Sequence, residues 1–359
     1  MASKKTAFLL SALLSASAAL KAGGSLGDSV RLEREVYLMG TRCRLTAAAW
    51  DRDGALSALE RLLEALEASE RQLSTWRQDS RLSQLNRHPL HQPLPLEPGL
   101  CRLFQQLGHW HALTEGAFDP AIGRLIAAWD IRGRGRTPPS ADLAEALRAS
   151  GFEHLELDAS ACRIERRRAL QIDAGAFGKG EALDRALALS PQLRSELGLQ
   201  GWLIDLGGQI GVWGEPEPGR QWEVSLAHPK QRGRGVLRLE VESGTIAVSG
   251  GSQRDLTVDG AVVSHILDPR SGQPVVFAGS TVVWRPDGLS SDVLSTALYV
   301  MGPREGLKWA SRHQVAACFL IPQPEDGEED SVRFKCSDLF RRHFPSSSHA
   351  TLSAGIHRR

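Results

Sequence analysis

Several signals are missing from this chain of 359 residues, and each absence removes a class of function. Lysine and arginine total 43 against 42 for aspartate and glutamate, a formal net charge of +1. Nothing global therefore draws the protein to nucleic acid or to an anionic membrane surface. The five cysteines (Cys43, Cys101, Cys162, Cys318, Cys336) are scattered, odd in number and never spaced as C-x-x-C. That pattern supports neither a zinc site nor a dense disulfide framework. The chain has no G-x-x-x-x-G-K-[ST] loop, no G-x-G-x-x-G, no G-x-S-x-G elbow and no H-E-x-x-H helix, so the familiar nucleotide, hydrolase and zinc-protease signatures do not apply. No repeat of fixed period is visible. The longest apolar run, residues 7–20, is shorter than the roughly 20 residues a spanning helix needs.

That run follows Lys4-Lys5 and precedes Lys21-Ala22-Gly23-Gly24. A positive start, a short apolar core and small residues fit an export signal over residues 1–24, with an uncleaved anchor or a buried helix as the alternatives. No cysteine follows directly, which argues against a lipoprotein anchor. Export is therefore expected, with membrane contact only through this segment.

An apolar fraction of 42% and a charged fraction of 24% are those of an ordinary globular protein, long enough to bury a substantial core. Residues 36–50 alternate, with Thr41, Cys43, Leu45 and Ala47 on one face of a strand. Leu56, Leu59, Leu62, Leu63, Leu66 and Leu73 mark an amphipathic helix over 51–73, and residues 74–82 then break the period as a loop. A second helix carries Leu100, Leu103, Phe104, Leu107, Trp110 and Leu113 and stops at Gly116-Ala117-Phe118-Asp119-Pro120. The basic stretch 133–139 reads as a solvent loop. A short helix over 142–148 leads to strands over 155–157 and 170–172. Further strands are expected over 202–206, 210–213, 222–226, 236–241, 245–248, 261–267 and 280–284. Helices over 289–300 and 304–311 and a closing strand over 315–321 complete the pattern. The order implies α+β architecture with mainly antiparallel sheet. A single domain over 30–322 is expected, followed by a partly disordered tail over 323–359.

Chemistry concentrates in Ile172-Asp173-Ala174-Gly175-Ala176-Phe177-Gly178-Lys179-Gly180. An apolar β-like run, a Gly-rich bend with one lysine and a helix start together offer backbone N–H groups and a cation to phosphate oxygens. Asp292 and Thr296, at i and i+4, share a helix face. Carboxylate and hydroxyl suit a hard cation such as Mg²⁺, although Asp292 in a first helical turn also simply favours the helix dipole. His265 alternates with Val263 and Leu267, the pattern either of a satisfied core histidine or of a base able to take a proton near neutral pH.

In order, Met39-Gly40-Thr41, Leu73-Ser74-Thr75-Trp76 with Asp79-Ser80, Gly116 to Pro120, residues 172–185, Asp205-Leu206-Gly207-Gly208, Trp222, Ser249-Gly250, His265-Ile266-Leu267-Asp268-Pro269, and Asp292 to Thr296 closing on Met301-Gly302 resemble the ApbE family, the FAD:protein FMN transferases. The likeness covers roughly 36–302. It implies an α+β fold of T-fold-like antiparallel units and an Mg²⁺-dependent enzyme. Such an enzyme attaches FMN from FAD through a phosphoester to a Ser or Thr of an acceptor flavoprotein, releasing AMP. The resemblance also implies a periplasmic location, with membrane contact only through the N-terminal segment or a membrane-bound acceptor. An FAD pyrophosphatase or a non-catalytic flavin carrier are the alternatives. By resemblance, Met39, Trp76, Ala117, Phe118, Asp119, Asp173, Lys179 and Ile266 would contact FAD. The Ala176 carbonyl, Asp292 and Thr296 would hold Mg²⁺, and His265 would be the base. The chain departs from the family pattern at Glu181, where an aromatic is common, at Ser264, where a second histidine is common, and at Gly251 and Ser252, where an acid and an aromatic are usual.

Overall fold

Period-two alternation builds the main sheet. The computed structural model describes residues 29–231, 233–251, 255–258, 260–325 and 328–345; the expected export segment, Ser252 and residues 346–359 lie outside the described residues. Strands β1 (Val30–Leu38), β2 (Thr41–Ala49), β3 (Leu199–Leu206), β4 (Gln209–Gly214), β5 (Gly244–Gly250), β6 (Ser280–Arg285), β7 (Ala316–Glu325) and β8 (Glu328–Cys336) lie side by side in chain order. Every neighbouring pair is antiparallel. The pleat sends successive side chains to opposite faces. Thus Val283 and Phe319 enter one core while Val282 and Cys318 enter another.

Helices α1 (Arg52–Leu73) and α6 (Gly178–Leu197) cover one face, packed on Cys43, Leu45, Trp202 and Ile204. Asp51 caps α1 by accepting the Gly54 N–H at 2.7 Å. Leu59, Leu62, Leu66 and Leu73 of α1 are buried, each contributing about 1.5–3 kcal/mol. Leu56 is 40% exposed, so the apolar stripe is narrower than its leucines suggest. A hairpin of strands Trp222–Ala227 and Gly235–Val241 covers the opposite face. Beside the sheet, α2 (Arg81–Arg87), α3 (Pro98–Leu113), α4 (Gly123–Ala128) and α5 (Ser140–Ala149) form a helical layer. It joins the core through Leu82, Leu103, Phe104 and Phe118. The long α7 (Gly288–Arg312) packs along the sheet and is interrupted at Gly302, whose φ of 75° ends one helix before Pro303 starts the next. The two expected helices are these two segments.

Four expectations are corrected. The strand expected over 36–50 is broken by the Met39-Gly40 turn into the end of β1 and all of β2. Residues 170–172 belong to no sheet. Ile172 is instead held by one side chain, its N–H donating to Asn86 Oδ1 (2.7 Å) and its carbonyl accepting from Asn86 Nδ2 (2.9 Å). The strand expected over 261–267 is split into Ala261–Val263 and Leu267–Asp268, so His265 sits between strands rather than in one. Finally, the sheet continues past residue 322. β8 pairs along β7, and α8 (Asp338–His343) buries Phe340, with Phe344 following it into the same core. Arg333 and Lys335 on β8 alternate with Val332, Phe334 and Cys336, which face that core; charges along an edge strand disguised it as tail.

Four of the five cysteines are paired, Cys101 with Cys162 and Cys318 with Cys336. Cys43 is free and buried, and burial, aided by the charge on Asp205, pushes its thiol up to about 12. It is no nucleophile at neutral pH.

Candidate active site

One end of the sheet opens into a cavity of about 980 Å³, at the upper end of the range for small-molecule sites. The β1–β2 turn, the β3–β4 turn, the end of β5 and the starts of α6 and α7 all reach it. All twelve residues assigned from the sequence line this one cavity: Met39, Trp76, Ala117, Phe118, Asp119, Asp173, Ala176, Lys179, His265, Ile266, Asp292 and Thr296.

Close helix approach brings the charged pair together. A Cβ on Gly180 would lie 2.1 Å from the Gly288 carbonyl, and one on Gly288 would lie 2.2 Å from the Gly180 carbonyl. Only glycine at both positions lets α6 and α7 cross so tightly. The start of α7 is fixed further by Asp184, whose carboxylate accepts the Gly288 N–H (2.5 Å) and the Leu289 N–H (2.9 Å). Burial holds the Asp184 carboxyl up at about 6; the two N–H groups pull against this, and the charges of Asp287 and Glu181 add to it.

Across the crossing, Lys179 Nζ lies 3.2 and 3.4 Å from the two Asp292 oxygens and 3.3 Å from the Gly175 carbonyl. Asp292 is 4% exposed and also accepts the Gly180 N–H at 2.9 Å. Thr296 Oγ1 lies 3.2 Å from Ser249 Oγ, which also contacts Ser295 Oγ at 2.7 Å. An ammonium set among carboxylate and carbonyl oxygens, with hydroxyls alongside, marks donor chemistry that a hard divalent cation also takes.

At the mouth, Trp76 is 71% exposed, and the Arg132 guanidinium lies 5.0 Å from its ring centroid. Arg132 pairs with Asp173 and donates to Thr75 Oγ1 at 2.7 Å, while the other Asp173 oxygen accepts the Gly175 N–H at 2.8 Å. Met39 stands in the β1–β2 turn with φ 50°, followed by Gly40 at φ 73°, and its N–H donates to Glu70 Oε1 at 2.7 Å. Two positive φ angles in succession make the tight hairpin turn that glycine favours at its second position.

Two assigned residues are held by other groups of the protein. The Asp119 carboxylate is engaged by the protein, accepting the Ala121 N–H (2.7 Å) and the Phe152 N–H (3.1 Å) with His111 Nδ1 at 3.5 Å. Burial pushes its carboxyl up, opposed by His111 and those two N–H groups. His265 is not core: it lines the cavity, its Nδ1 3.0 Å from Asp255 Oδ1.

The sequence model of the ApbE family matches residues 39–319. The chain belongs to the ApbE family. Among its relatives, a Vibrio cholerae protein named FAD:protein FMN transferase is 28% identical over 285 residues, covering 77% of this chain and 82% of the relative. An Escherichia coli K12 protein of the same name is 27% identical over 312 residues, covering 84% and 86%. The apo crystal structure of the Pseudomonas stutzeri flavinyl transferase ApbE superposes with a TM-score of 0.76 at 26% identity, covering 93% of this chain and all of that one. A Thermotoga maritima ApbE structure at 24% identity and TM-score 0.77 shares the fold.

Within this ApbE-family site, sequence reasoning missed Arg132 and Asp255. Arg132 adjoins a basic stretch read as solvent loop, and only tertiary structure brings it to Asp173. Asp255 sits in a stretch with no periodicity, and its one signal was an acid shortly after Ser249-Gly250. His111, Asp119 and Glu153 form the one acidic and histidine cluster with metal-like spacing among the described residues. The Asp119 oxygens there already accept two backbone N–H groups.

Proposed function

We propose that this chain is an FAD:protein FMN transferase, moving FMN from FAD onto a Ser or Thr hydroxyl of an acceptor flavoprotein and releasing AMP. The observation that carries the proposal is the convergence, in one cavity of an ApbE-family chain, of Lys179 on Asp292 with His265. The relatives' shared name supports it.

FAD carries a pyrophosphate dianion. Asp292, Thr296 and the Ala176 carbonyl would hold Mg²⁺, which when bound supplies neutralisation of that charge. The Lys179 ammonium turns from Asp292 to a phosphate oxygen and stabilises charge on departing AMP. Trp76 offers an exposed ring for stacking. Phosphoryl transfer depends chiefly on such positioning and electrostatics. His265 takes the proton from the acceptor hydroxyl as its oxygen attacks the FMN phosphorus.

We infer export as well. Lys4-Lys5 with the apolar run 7–20, and two disulfides, fit an oxidising compartment. Alkaline phosphatase fused after residue 30 becomes active if the segment is an export signal and stays inactive if it is not.

The enzymatic test incubates the full chain with FAD and Mg²⁺, with and without an acceptor flavoprotein domain, and quantifies AMP and free FMN by chromatography. AMP release that depends on the acceptor, with little free FMN, supports transfer. AMP and FMN in equal amounts without acceptor identify a pyrophosphatase. FAD bound with no AMP under any condition leaves only a carrier.

A further inference from the structure

Asp255 and His265 flank a short hairpin. Strand Leu256–Val258 pairs with Ala261–Val263, Leu256 opposite Val263, which brings the residues just outside the hairpin together. Asp255 Oδ1 accepts the main-chain N–H of His265 at 3.1 Å and lies 3.0 Å from its Nδ1. Both residues line the cavity. A carboxylate has no hydrogen to give, so the hydrogen in the ring contact belongs to Nδ1. Among the described residues no hydrogen-bond partner falls on Nε2. Burial raises the Asp255 carboxyl, but its contacts with His265 outweigh this and hold it below the usual range, so it stays ionised.

Gly251 makes room for this arrangement. A Cβ there would lie 2.3 Å from Asp255 Oδ2. Gly251 is itself pinned by its N–H donating at 3.2 Å to the hydroxyl of Tyr299, a fully buried residue of α7. The space Asp255 occupies is thus fixed from the same helix that carries Asp292.

We propose that Asp255 is the positioning residue for His265, fixing the Nδ1–H tautomer so that Nε2 is the ring nitrogen free to accept a proton, and that Gly251 is required for Asp255 to do so. This rests on the transferase reading and adds to it. The acceptor hydroxyl gives its proton to Nε2. Its oxygen bonds to the FMN phosphorus, the bond from that phosphorus to the AMP oxygen breaks, and AMP leaves with the electron pair. The imidazolium, balanced by the Asp255 carboxylate, returns the proton to solvent.

Long-range ¹H–¹⁵N NMR of histidine-labelled full chain, with the His265 signals assigned by their loss in His265→Ala, reads the tautomer without FAD or acceptor. The wild type should show Nδ1–H and bare Nε2; the opposite tautomer overturns the proposal. In the FAD, Mg²⁺ and acceptor assay, Asp255→Asn and Gly251→Ala should each lower kcat about 100-fold or more with FAD affinity unchanged. The double variant should fall no further than Asp255→Asn alone. Wild-type kcat in Asp255→Asn beside a slowed His265→Ala overturns the positioning role alone. Wild-type kcat in His265→Ala removes the base itself, and the transferase mechanism built on it.

Discussion

Replacing Gly180 by alanine sets two effects of known size against each other. Alanine is the better helix former by up to about 1 kcal/mol, and Gly180 lies in the first turn of α6, so propensity alone predicts stabilisation. Packing predicts the reverse. The new Cβ would sit 2.1 Å from the Gly288 carbonyl and 2.8 Å from Asp292 Cβ, where ordinary contact begins at 3.4 Å. The carbonyl shortfall is 3.4 minus 2.1, about 1.3 Å, and it falls on backbone, which no rotamer change relieves. Overpacking of this kind costs about 1–3 kcal/mol. If α7 moves away, Asp292 also loses the Gly180 N–H, a bond to a charged group worth about 1.5–3 kcal/mol. The sum favours destabilisation by about 2 kcal/mol or more after the propensity gain. Urea unfolding followed by far-UV circular dichroism measures it. Gly288→Ala, whose Cβ would lie 2.2 Å from the Gly180 carbonyl, should behave alike. The double variant should be less than additive, since one displacement relieves both clashes. A Gly180→Ala protein as stable as wild type, or more so, would refute the claim that glycine at this crossing holds the two helices together.

Asp292→Ala should abolish Mg²⁺-dependent AMP release. It should also lower unfolding stability by about 3 kcal/mol, because Lys179 is left partly buried without its carboxylate; both are read on the same preparation, and an unchanged rate removes Asp292 from the metal site. Asp184 has its carboxyl raised from 3.8 to about 6. Protonation is therefore favoured in the folded state, and wild type gains stability relative to Asp184→Asn as pH falls from about 6 toward 4. The upper limit, 2.2 units at 1.36 kcal/mol each, is about 3 kcal/mol, checked by unfolding both proteins at pH 4.5 and 7.5. Breaking Cys101–Cys162, whose cysteines are 61 residues apart, by Cys101→Ala with Cys162→Ala should cost up to about 4 kcal/mol in the same urea assay. An unchanged midpoint would show that the bridge does not constrain the unfolded chain.

Much of the fold is local enough to read from sequence. Leu59, Leu62 and Leu66 announce α1, and the alternation of Cys43, Leu45 and Ala47 announces β2, because helix and strand periods are written in neighbouring residues. Motif order nominated twelve residues, and all twelve line one cavity. What stayed hidden depends on distant partners. Residues 170–172 have strand composition, yet Asn86 replaces the neighbouring strand, and no local signal distinguishes an amide side chain from a ladder. β8 carries charges on its open face and so resembles a tail until Cys336 is seen opposite Cys318. The disulfide partners are equally nonlocal. Arg132 and Asp255 acquire their roles only through Asp173 and His265, and the Gly180–Gly288 crossing joins residues 108 positions apart (288 − 180).

Covalent transfer of FMN to a protein hydroxyl leaves a mass on the acceptor that intact mass spectrometry reads. After incubation of the full chain with FAD, Mg²⁺ and an acceptor flavoprotein domain, the acceptor should gain the mass of one FMN less one water. Peptide mapping should place the adduct on a single Ser or Thr. An acceptor of unchanged mass, in a reaction where AMP and free FMN accumulate, would mean hydrolysis of FAD and no transfer.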